Sequence, residues 1–315
     1  MQDFSLIPFL EIHLMKDERF ILGCSTWADS MFLLHQILNT AYRDNLIVAY
    51  FNHHTRCECE EEEGYLRDFC KNHNIQFESG WYDFSTPHDG PSKSFEELAR
   101  EKRYIYFREL KEKYKAEKIF LAHHFDDRVE TMIFNMLRWT KLTWLINMKM
   151  IQGDIYRPLL KLKKSDILRY VESENIVYYE DRSNNCNDYT RNYIRNEVIS
   201  KFNEIHPEYK RNLSKLLEYL ESVQYYLENE VQRFLWNHEN FSLKLFLSEQ
   251  ELLQTEIIKY LYKNCNNNST LWLSEWNIAE VQKFLRGKNN KTVKEIHWLW
   301  LRKDWGIISI YKVKH

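Results

Sequence analysis

The sequence has little glycine, with 7 in 315 residues, and no internal repeats or low-complexity tracts. Globular domains usually contain about 7% glycine, which serves turns, helix ends and close approaches between backbone and ligand. No run of 18 or more apolar residues is present, so we expect no transmembrane helix. The N-terminus has neither a basic region nor a signal-peptide cleavage site, so we expect a cytoplasmic protein.

The six cysteines include no Cys-x-x-Cys pair and no zinc-ligand spacing, so we expect reduced thiols rather than a metal centre. The formal net charge is −2, with 44 basic and 46 acidic residues. A polyanionic partner would therefore have to be bound by local basic patches.

The first 140 residues alternate short apolar runs with segments of helical periodicity. Strands are predicted at 19–24, 45–54, 75–84 and 118–124, and helices at 30–39, 60–75, 95–114 and 126–139. This alternation is typical of an α/β fold, a parallel sheet with helices on both faces. Ligands of such sheets bind beyond the carboxyl ends of the strands.

The character of the sequence changes near residue 205. We assign residues 1–205 to the sheet-containing catalytic domain and residues 206–245 to a helical linker. Residues 246–315 are assigned to a small C-terminal α/β domain, which ends in the alternating strand GIISIYKV.

A candidate phosphate site follows the first predicted strand, where Ser25, Asp29 and Ser30 precede a helix. Backbone N–H groups at a helix N-terminus attract anions, and hydroxyl groups add donors. A carboxylate beside the phosphates, here Asp29, would hold Mg²⁺. The alternative is an ordinary helix cap by Asp29 or Ser30, and this segment alone favours the cap.

A second candidate site lies in the segment LAHHFDDRVET. His123 and His124 end a predicted strand, and Asp126, Asp127 and Glu130 open the next helix. Asp127 and Glu130 are three residues apart and share one helix face. Acidic residues suit a first helical turn, but two histidines and three carboxylates exceed what capping needs. We therefore predict a metal or substrate-amine site here.

A third group of polar residues is basic. It comprises Arg157, Lys161, Lys163, Lys164, Arg182, Arg191 and Arg195. Arginine forks bind phosphates through two hydrogen bonds, and Arg191 and Arg195 share one helix face. Basic residues are usually only solvated surface, yet the polar residues around these arginines favour a phosphate-binding role.

Six motifs follow one another along the chain: SxxxDS, NHHTR, FEELAREKRYIYF, AHHFDDRVETMIFNMLR, RPLLKLKKSDI and DRSNNCNDYTRNYIRNEVI. In this order and spacing they resemble the bacterial tRNA(Ile)-lysidine synthetases, a family of PP-loop ATP pyrophosphatases. The resemblance covers residues 20–200, with a weaker match in LSEWNIAEVQKFLRGKNNKTV. Part of the fourth motif is shared with tRNA thiolation enzymes, but the missing Cys-x-x-Cys argues against a cluster-dependent thiolase.

The resemblance implies a ligation in two steps. ATP adenylates the wobble cytidine of tRNA(Ile) with a CAU anticodon, and the ε-amine of free L-lysine then displaces AMP to give lysidine. The implied cofactors and partners are therefore ATP, Mg²⁺, this tRNA and free lysine. No membrane partner is expected, and a homodimer is one possibility.

The resemblance also implies roles for individual residues. The implied catalytic residues are Asp29, His123, Asp127 and Glu130. The implied ATP-binding residues are Ser25, Thr26, Trp27, Ala28, Asp29, Ser30, Arg103 and Arg195. The implied metal ligands are Asp29 and Asp127, and the implied tRNA contacts are Arg157, Lys161 and Arg191.

The chain departs from the family where the ATP loop normally reads S-G-G-x-D-S. Thr26 and Trp27 replace the two glycines, and Trp139 and Trp144 occupy glycine positions of a later loop. A tryptophan in a left-handed backbone conformation would cost about 1–2 kcal/mol. Its indole would also fill the space that a phosphate needs.

Two hypotheses explain these departures. In one, the chain is a degenerate homologue that binds tRNA without making lysidine. In the other, UGA codons for glycine are read as tryptophan at Trp27, Trp139, Trp144, Trp276 and Trp298, and restoring glycine there would bring its content nearer to ordinary usage. The intact polar residues favour the second hypothesis, and the codons decide it. Another PP-loop enzyme, such as a thiolase, is a more remote alternative.

Overall fold

The computed structural model describes residues 5–53, 58–83, 95–138, 142–146, 148–180, 190–236, 240–265, 273–287, 292–296, 299–304 and 306–312. The chain divides into two compact units, Met1–Leu213 and Ser214–His315. The division falls inside one long helix, Tyr209–Leu235, while the predicted linker spans 206–245. A separate linker therefore stays a prediction.

The strands of the first unit are β1 (Phe20–Gly23), β2 (Leu46–Asn52), β3 (Gln76–Trp81), β4 (Lys118–Leu121), β5 (Ile151–Gln152) and β6 (Ile155–Tyr156). They form one sheet in the order β3-β2-β1-β4-β6-β5. β1 pairs in parallel with both β2 and β4, and Leu22 is in register with Val48 and Phe120. Among these described strands only β5 runs antiparallel to its neighbour, so the predicted parallel sheet is confirmed.

The helices of the first unit are α1 (Ile7–His13), α2 (Ala28–Leu38), α3 (Glu58–Asn72), α4 (Phe95–Tyr114), α5 (Phe125–Met136), α6 (Leu142–Leu145), α7 (Lys164–Ser173), α8 (Thr190–Tyr193) and α9 (Ser200–Ile205). A π-helical segment, Ile194–Ile199, joins α8 to α9, and a 3-10 turn, Arg43–Asn45, precedes β2.

Apolar side chains on both faces of the sheet explain why helices cover both. Successive residues of a strand point to opposite faces. Leu22 of β1 packs in a core with Leu33 of α2 and Ile167 of α7. Ile21, the preceding residue, packs in a separate core with Phe107 of α4. The carboxyl ends of β1 and β4 are thereby held between two buried layers.

The second unit contains most of α10 (Tyr209–Leu235), with α11 (Leu243–Ser248), α12 (Glu251–Cys265), α13 (Glu275–Arg286), β7 (Asn240–Ser242), β8 (Thr292–Ile296), β9 (Leu299–Asp304) and β10 (Ile307–Lys312). Its strands form an antiparallel sheet in the order β7-β10-β9-β8. Phe246, Ile257 and Ile308 are fully buried in its core. Of the helices that the structure describes, none is both long and apolar enough to span a membrane.

Candidate functional site

The loop between β1 and α2 is closed by hydroxyl groups. The Ser25 N–H donates to Ser30 Oγ at 3.2 Å, and the Ser30 hydroxyl donates to the Trp27 carbonyl at 2.9 Å. Trp27 is the N-cap of α2, and no side-chain hydrogen bond caps this described helix. The alternative that Asp29 or Ser30 caps the helix is therefore wrong. The N-terminal N–H groups of α2 thus retain the arrangement that an anion site requires.

The left-handed position of this loop is Thr26, with a φ of 64°. Trp27 has a φ of −75°, an ordinary extended conformation. The backbone penalty expected at Trp27 therefore falls on Thr26 instead. Thr26 is fully buried, and its carbonyl accepts a hydrogen bond from the Tyr179 N–H at 3.0 Å.

The other tryptophans on glycine positions are placed differently. Trp144 lies in α6 and Trp276 in α13, where the backbone is helical. Trp276 is also 71% exposed. Trp139 and Trp298 lie outside the described residues. Backbone strain therefore does not distinguish a genuine tryptophan from a mis-decoded glycine at any described position of this set.

Asp29, in the first turn of α2, is an ionised carboxylate with one occupied oxygen. Its Oδ2 accepts a hydrogen bond from Lys164 Nζ at 2.6 Å and lies 3.6 Å from His124 Nε2. Its Oδ1 is buried and has no hydrogen-bond partner among the described residues. Burial opposes ionisation, but the hydrogen bonds and charges of His124 and Lys164 outweigh it and hold the pKa of Asp29 below its ordinary value.

His124 links the loop after β4 to Asp29. Its Nε2 lies 3.4 Å from Asp127 Oδ2, and its Nδ1 lies 3.8 Å from Asp126 Oδ2. Burial disfavours the imidazolium form, yet the charges of Asp127 and Asp29 raise the pKa of His124 above its ordinary value. One buried imidazole therefore holds three carboxylates together.

Asp126 and Asp127 also have structural roles. Asp127 Oδ2 accepts a hydrogen bond from the His124 N–H at 2.9 Å, which caps α5. Asp126 Oδ2 accepts one from the Lys164 N–H at 2.8 Å, and its other oxygen contacts the Lys210 ammonium. Capping thus explains part of this acidic group, although both carboxylates remain within 4 Å of His124.

Glu130 lies one turn further along α5 and is 5% exposed. Arg195 donates Nε to Glu130 Oε1 at 2.6 Å and Nη2 to Oε2 at 2.9 Å. Arg195 Nη2 also lies 3.8 Å from Asp127 Oδ1. Burial raises the pKa of Glu130 above its ordinary value, although the bond to Arg195 opposes this. The structure therefore brings four of the predicted site residues together: Asp29, Asp127, Glu130 and Arg195.

Arginine side chains create a positively charged environment at His123, which follows β4. Burial, with the charges of Arg157 and Arg103, lowers the pKa of His123 well below its ordinary value. Arg157 is 2% exposed and donates Nη1 to the Lys149 carbonyl at 2.9 Å. This burial speaks against the predicted tRNA contact of Arg157, because a buried guanidinium does not face an RNA backbone.

The other two predicted tRNA contacts, Lys161 and Arg191, stay predictions. Lys161 is exposed. The Arg191 guanidinium lies 5.7 Å from the centre of the Phe134 ring, within reach of a cation–π contact. Arg182 lies outside the described residues.

The residue roles implied by the family resemblance included neither His124 nor Lys164, although the sequence placed His124 in the second candidate site and Lys164 in the basic group. Lys164 is 135 residues from its partner Asp29, and no periodicity or spacing joins them. His124 follows His123 after β4, which pairs in parallel with β1. This position was the signal for a role of His124 near the loop after β1.

The acidic residues fit an Mg²⁺ ion held by one carboxylate and substrate phosphates better than an ion enclosed by protein ligands alone. Among the described residues, no group of three or more His, Cys, Asp or Glu has metal-binding geometry. Mg²⁺ is usually held by one or two carboxylates together with substrate phosphates. Asp29, with a buried Oδ1 that has no partner in the described chain, meets this requirement.

Comparisons with known proteins relate this chain to one family. A family model described as a PP-loop domain matches residues 6–202. The tRNA(Ile)-lysidine synthase of Petrotoga mobilis is 35% identical over 211 residues, which cover 66% of this chain and 68% of that protein. Those of Bacteroides thetaiotaomicron and Bacillus subtilis are 34% and 30% identical, over 66% and 78% of this chain.

This chain spans about half the length of most of the curated relatives it matches, with 49% for the Bacteroides protein and 54% for the Bacillus protein. Among solved structures, a U34-tRNA thiolase from Methanococcus maripaludis is similar, with a TM-score of 0.50 and 19% identity. The match covers 64% of this chain and 72% of that one. This likeness concerns the fold.

Proposed function

Because the chain belongs to the tRNA(Ile)-lysidine synthase family of PP-loop proteins, we propose that it ligates lysine to the wobble cytidine of a CAU-anticodon tRNA(Ile). ATP adenylates the cytidine with loss of pyrophosphate, and lysine then displaces AMP to form a C–N bond. One observation carries the proposal. Asp29, His124 and Asp127 converge beyond the carboxyl ends of β1 and β4, and Arg195 links Glu130 to Asp127.

The loop after β1 is the proposed site for the pyrophosphate end of ATP. The N-terminal N–H groups of α2 are suitable phosphate donors. The hydroxyls of Ser25 and Ser30 would turn away from each other and from the Trp27 carbonyl to donate to a phosphate. Asp29 would hold Mg²⁺, which supplies positive charge against the phosphates when bound. Arg103 and the neutral His123 would contact the nucleotide or its adenylate.

Glu130 and Asp127 are the proposed lysine site. Lysine attacks only as a free amine, so a carboxylate must position the ammonium and accept its proton. The raised pKa of Glu130 supports this role, because a more basic carboxylate accepts a proton more readily. Arg195 would neutralise the phosphate of the departing AMP, which carries negative charge.

The proposed RNA contacts are the basic side chains Lys161 and Arg191. Binding to RNA phosphates through a few such contacts should weaken as salt concentration rises. The anticodon bases, being single-stranded, would be splayed out and recognised by their edges.

The test is a ligation assay with purified protein, ATP, labelled L-lysine and the CAU-anticodon tRNA. We expect label in the tRNA, with release of AMP and pyrophosphate, and no label when the wobble cytidine is replaced by uridine. The Asp29→Asn variant should bind the tRNA but transfer no lysine. Binding of tRNA by the unaltered protein without lysine transfer would support the binding-only homologue instead.

A further inference from the structure

Each carboxylate of the site contacts a cation of the chain itself. The pairs are Asp29 with Lys164, Asp126 with Lys210, Asp127 with His124, and Glu130 with Arg195. Lys164 differs from the others, because its ammonium rests on the carboxylate that is proposed to hold Mg²⁺. The metal and the ammonium therefore compete for one side chain.

The backbone of Lys164 is held in place while its side chain is partly exposed. Its N–H donates to Asp126 Oδ2 at 2.8 Å, which anchors the first residue of α7. Phe32 of α2 and Tyr170 of α7 pack edge to face, with ring centres 5.0 Å apart. The Lys164 side chain is 34% exposed, and the Asp29 side chain is 15% exposed. The helices are thus fixed, and the ammonium has solvent on one side.

The geometry at Asp29 indicates a second cation. Oδ2 binds Lys164 at 2.6 Å, whereas Oδ1 is buried without a hydrogen-bond partner in the described chain. An unsatisfied buried oxygen of a carboxylate costs free energy. A purely structural ion pair gives no reason for that cost, but a carboxylate that awaits a metal does.

We propose that the Lys164 ammonium is paired with Asp29 only while the site holds no nucleotide. When a divalent cation binds Asp29 with ATP, the Lys164 ammonium moves to a phosphate oxygen and becomes a phosphate-binding residue. The N-terminus of α2 attracts that phosphate beside Asp29. Lysine suits such a move, since its ammonium is a point charge on a flexible four-carbon stem. This inference rests on the proposed function.

The experiment measures two affinities of the Lys164→Met variant by calorimetry, for Mn²⁺ alone and for ATP with Mn²⁺. Removal of the competing ammonium should tighten Mn²⁺ binding roughly two- to fivefold. Loss of a charge-assisted phosphate contact should weaken ATP binding roughly tenfold to a hundredfold. The two affinities are therefore expected to change in opposite directions. Lys164→Gln is measured alongside as a second neutral variant that keeps a polar side chain.

Two further variants separate this role from a structural one. Lys164→Arg keeps the charge and should stay close to the unaltered protein in both affinities. Arg169→Met, which removes the exposed ion pair with Asp166 on the same helix, should change neither. Unchanged or weaker Mn²⁺ binding in both neutral Lys164 variants would overturn the inference, and so would unchanged ATP binding. An unaltered protein that binds no ATP would refute the proposed function, and the inference with it.

Discussion

Arg195 donates two parallel hydrogen bonds to Glu130, from Nε to Oε1 at 2.6 Å and from Nη2 to Oε2 at 2.9 Å. The two residues are 65 positions apart in the chain, and Glu130 is buried. The pair therefore ties the π-helical segment Ile194–Ile199 to α5. A guanidinium makes this two-point contact and an ammonium does not.

The Arg195→Lys variant should thus be impaired in lysine transfer. It would keep the positive charge but lose one hydrogen bond of the pair, so we expect a roughly tenfold to hundredfold lower rate of the second step. Single-turnover transfer of labelled lysine from preformed adenylate measures this. Because the residues are in contact, the effects of Arg195→Lys and Glu130→Gln should not add in the double variant. Additive effects would show that the pair does not act as a unit.

Local patterns predicted the elements of this site better than its pairings. The alternation of strands and helices brought Asp29 and Asp127 to one edge of the sheet, as expected. The contact between Lys164 and Asp29 depends on how α7 packs on α2, which spacing along the chain does not specify. The left-handed residue was also misassigned to Trp27, because the position of Thr26 is set by the three-dimensional path of the loop.

Replacement of Trp27 by glycine tests whether the indole obstructs the proposed phosphate loop. The indole Nε1 is buried without a hydrogen-bond partner among the described residues, and Trp27 is itself part of the proposed phosphate loop. Trp27→Gly should therefore open the loop and tighten ATP binding roughly tenfold, or about 1.4 kcal/mol. Trp276→Gly, at an exposed position of α13, makes the same change far along the chain and should leave ATP affinity unaltered. Equal or weaker ATP binding by Trp27→Gly would argue that the indole does not obstruct the loop.

His123 should make the protein less stable as the pH falls. Its pKa is lowered in the folded state by burial and by the charges of Arg157 and Arg103. As the pH falls below about 6.5, the unfolded chain therefore takes up the proton first, and the free energy of unfolding decreases. One such group contributes at most about 1.4 kcal/mol per pH unit. Denaturant unfolding between about pH 7.5 and about pH 5.5, which brackets the ordinary histidine pKa, measures the slope.

The His123→Gln variant isolates this contribution. His13 and His35 also have lowered pKa values and add to the slope in the same direction. The difference in slope between His123→Gln and the unaltered protein therefore reports on His123 together with its coupling to the neighbouring His124, whose pKa is raised. Replacement of the exposed His206 by glutamine serves as the matched control. The same slope with and without His123 would contradict a lowered pKa.

Lys303 stabilises the second unit from inside. It is 3% exposed, and its ammonium donates to the Leu285 carbonyl at 3.2 Å and to the Gly287 carbonyl. These carbonyls lie at the end of α13, where backbone acceptors lack helical partners and a positive charge is favoured. Lys303→Met keeps the apolar stem but leaves the carbonyls without this donor. The free energy of unfolding should therefore decrease by about 1–3 kcal/mol. Denaturant unfolding of the full chain measures the loss, and Arg302→Met, on the exposed face of β9, should lose far less. Equal losses in the two variants would mean that the buried ammonium does not cap the helix.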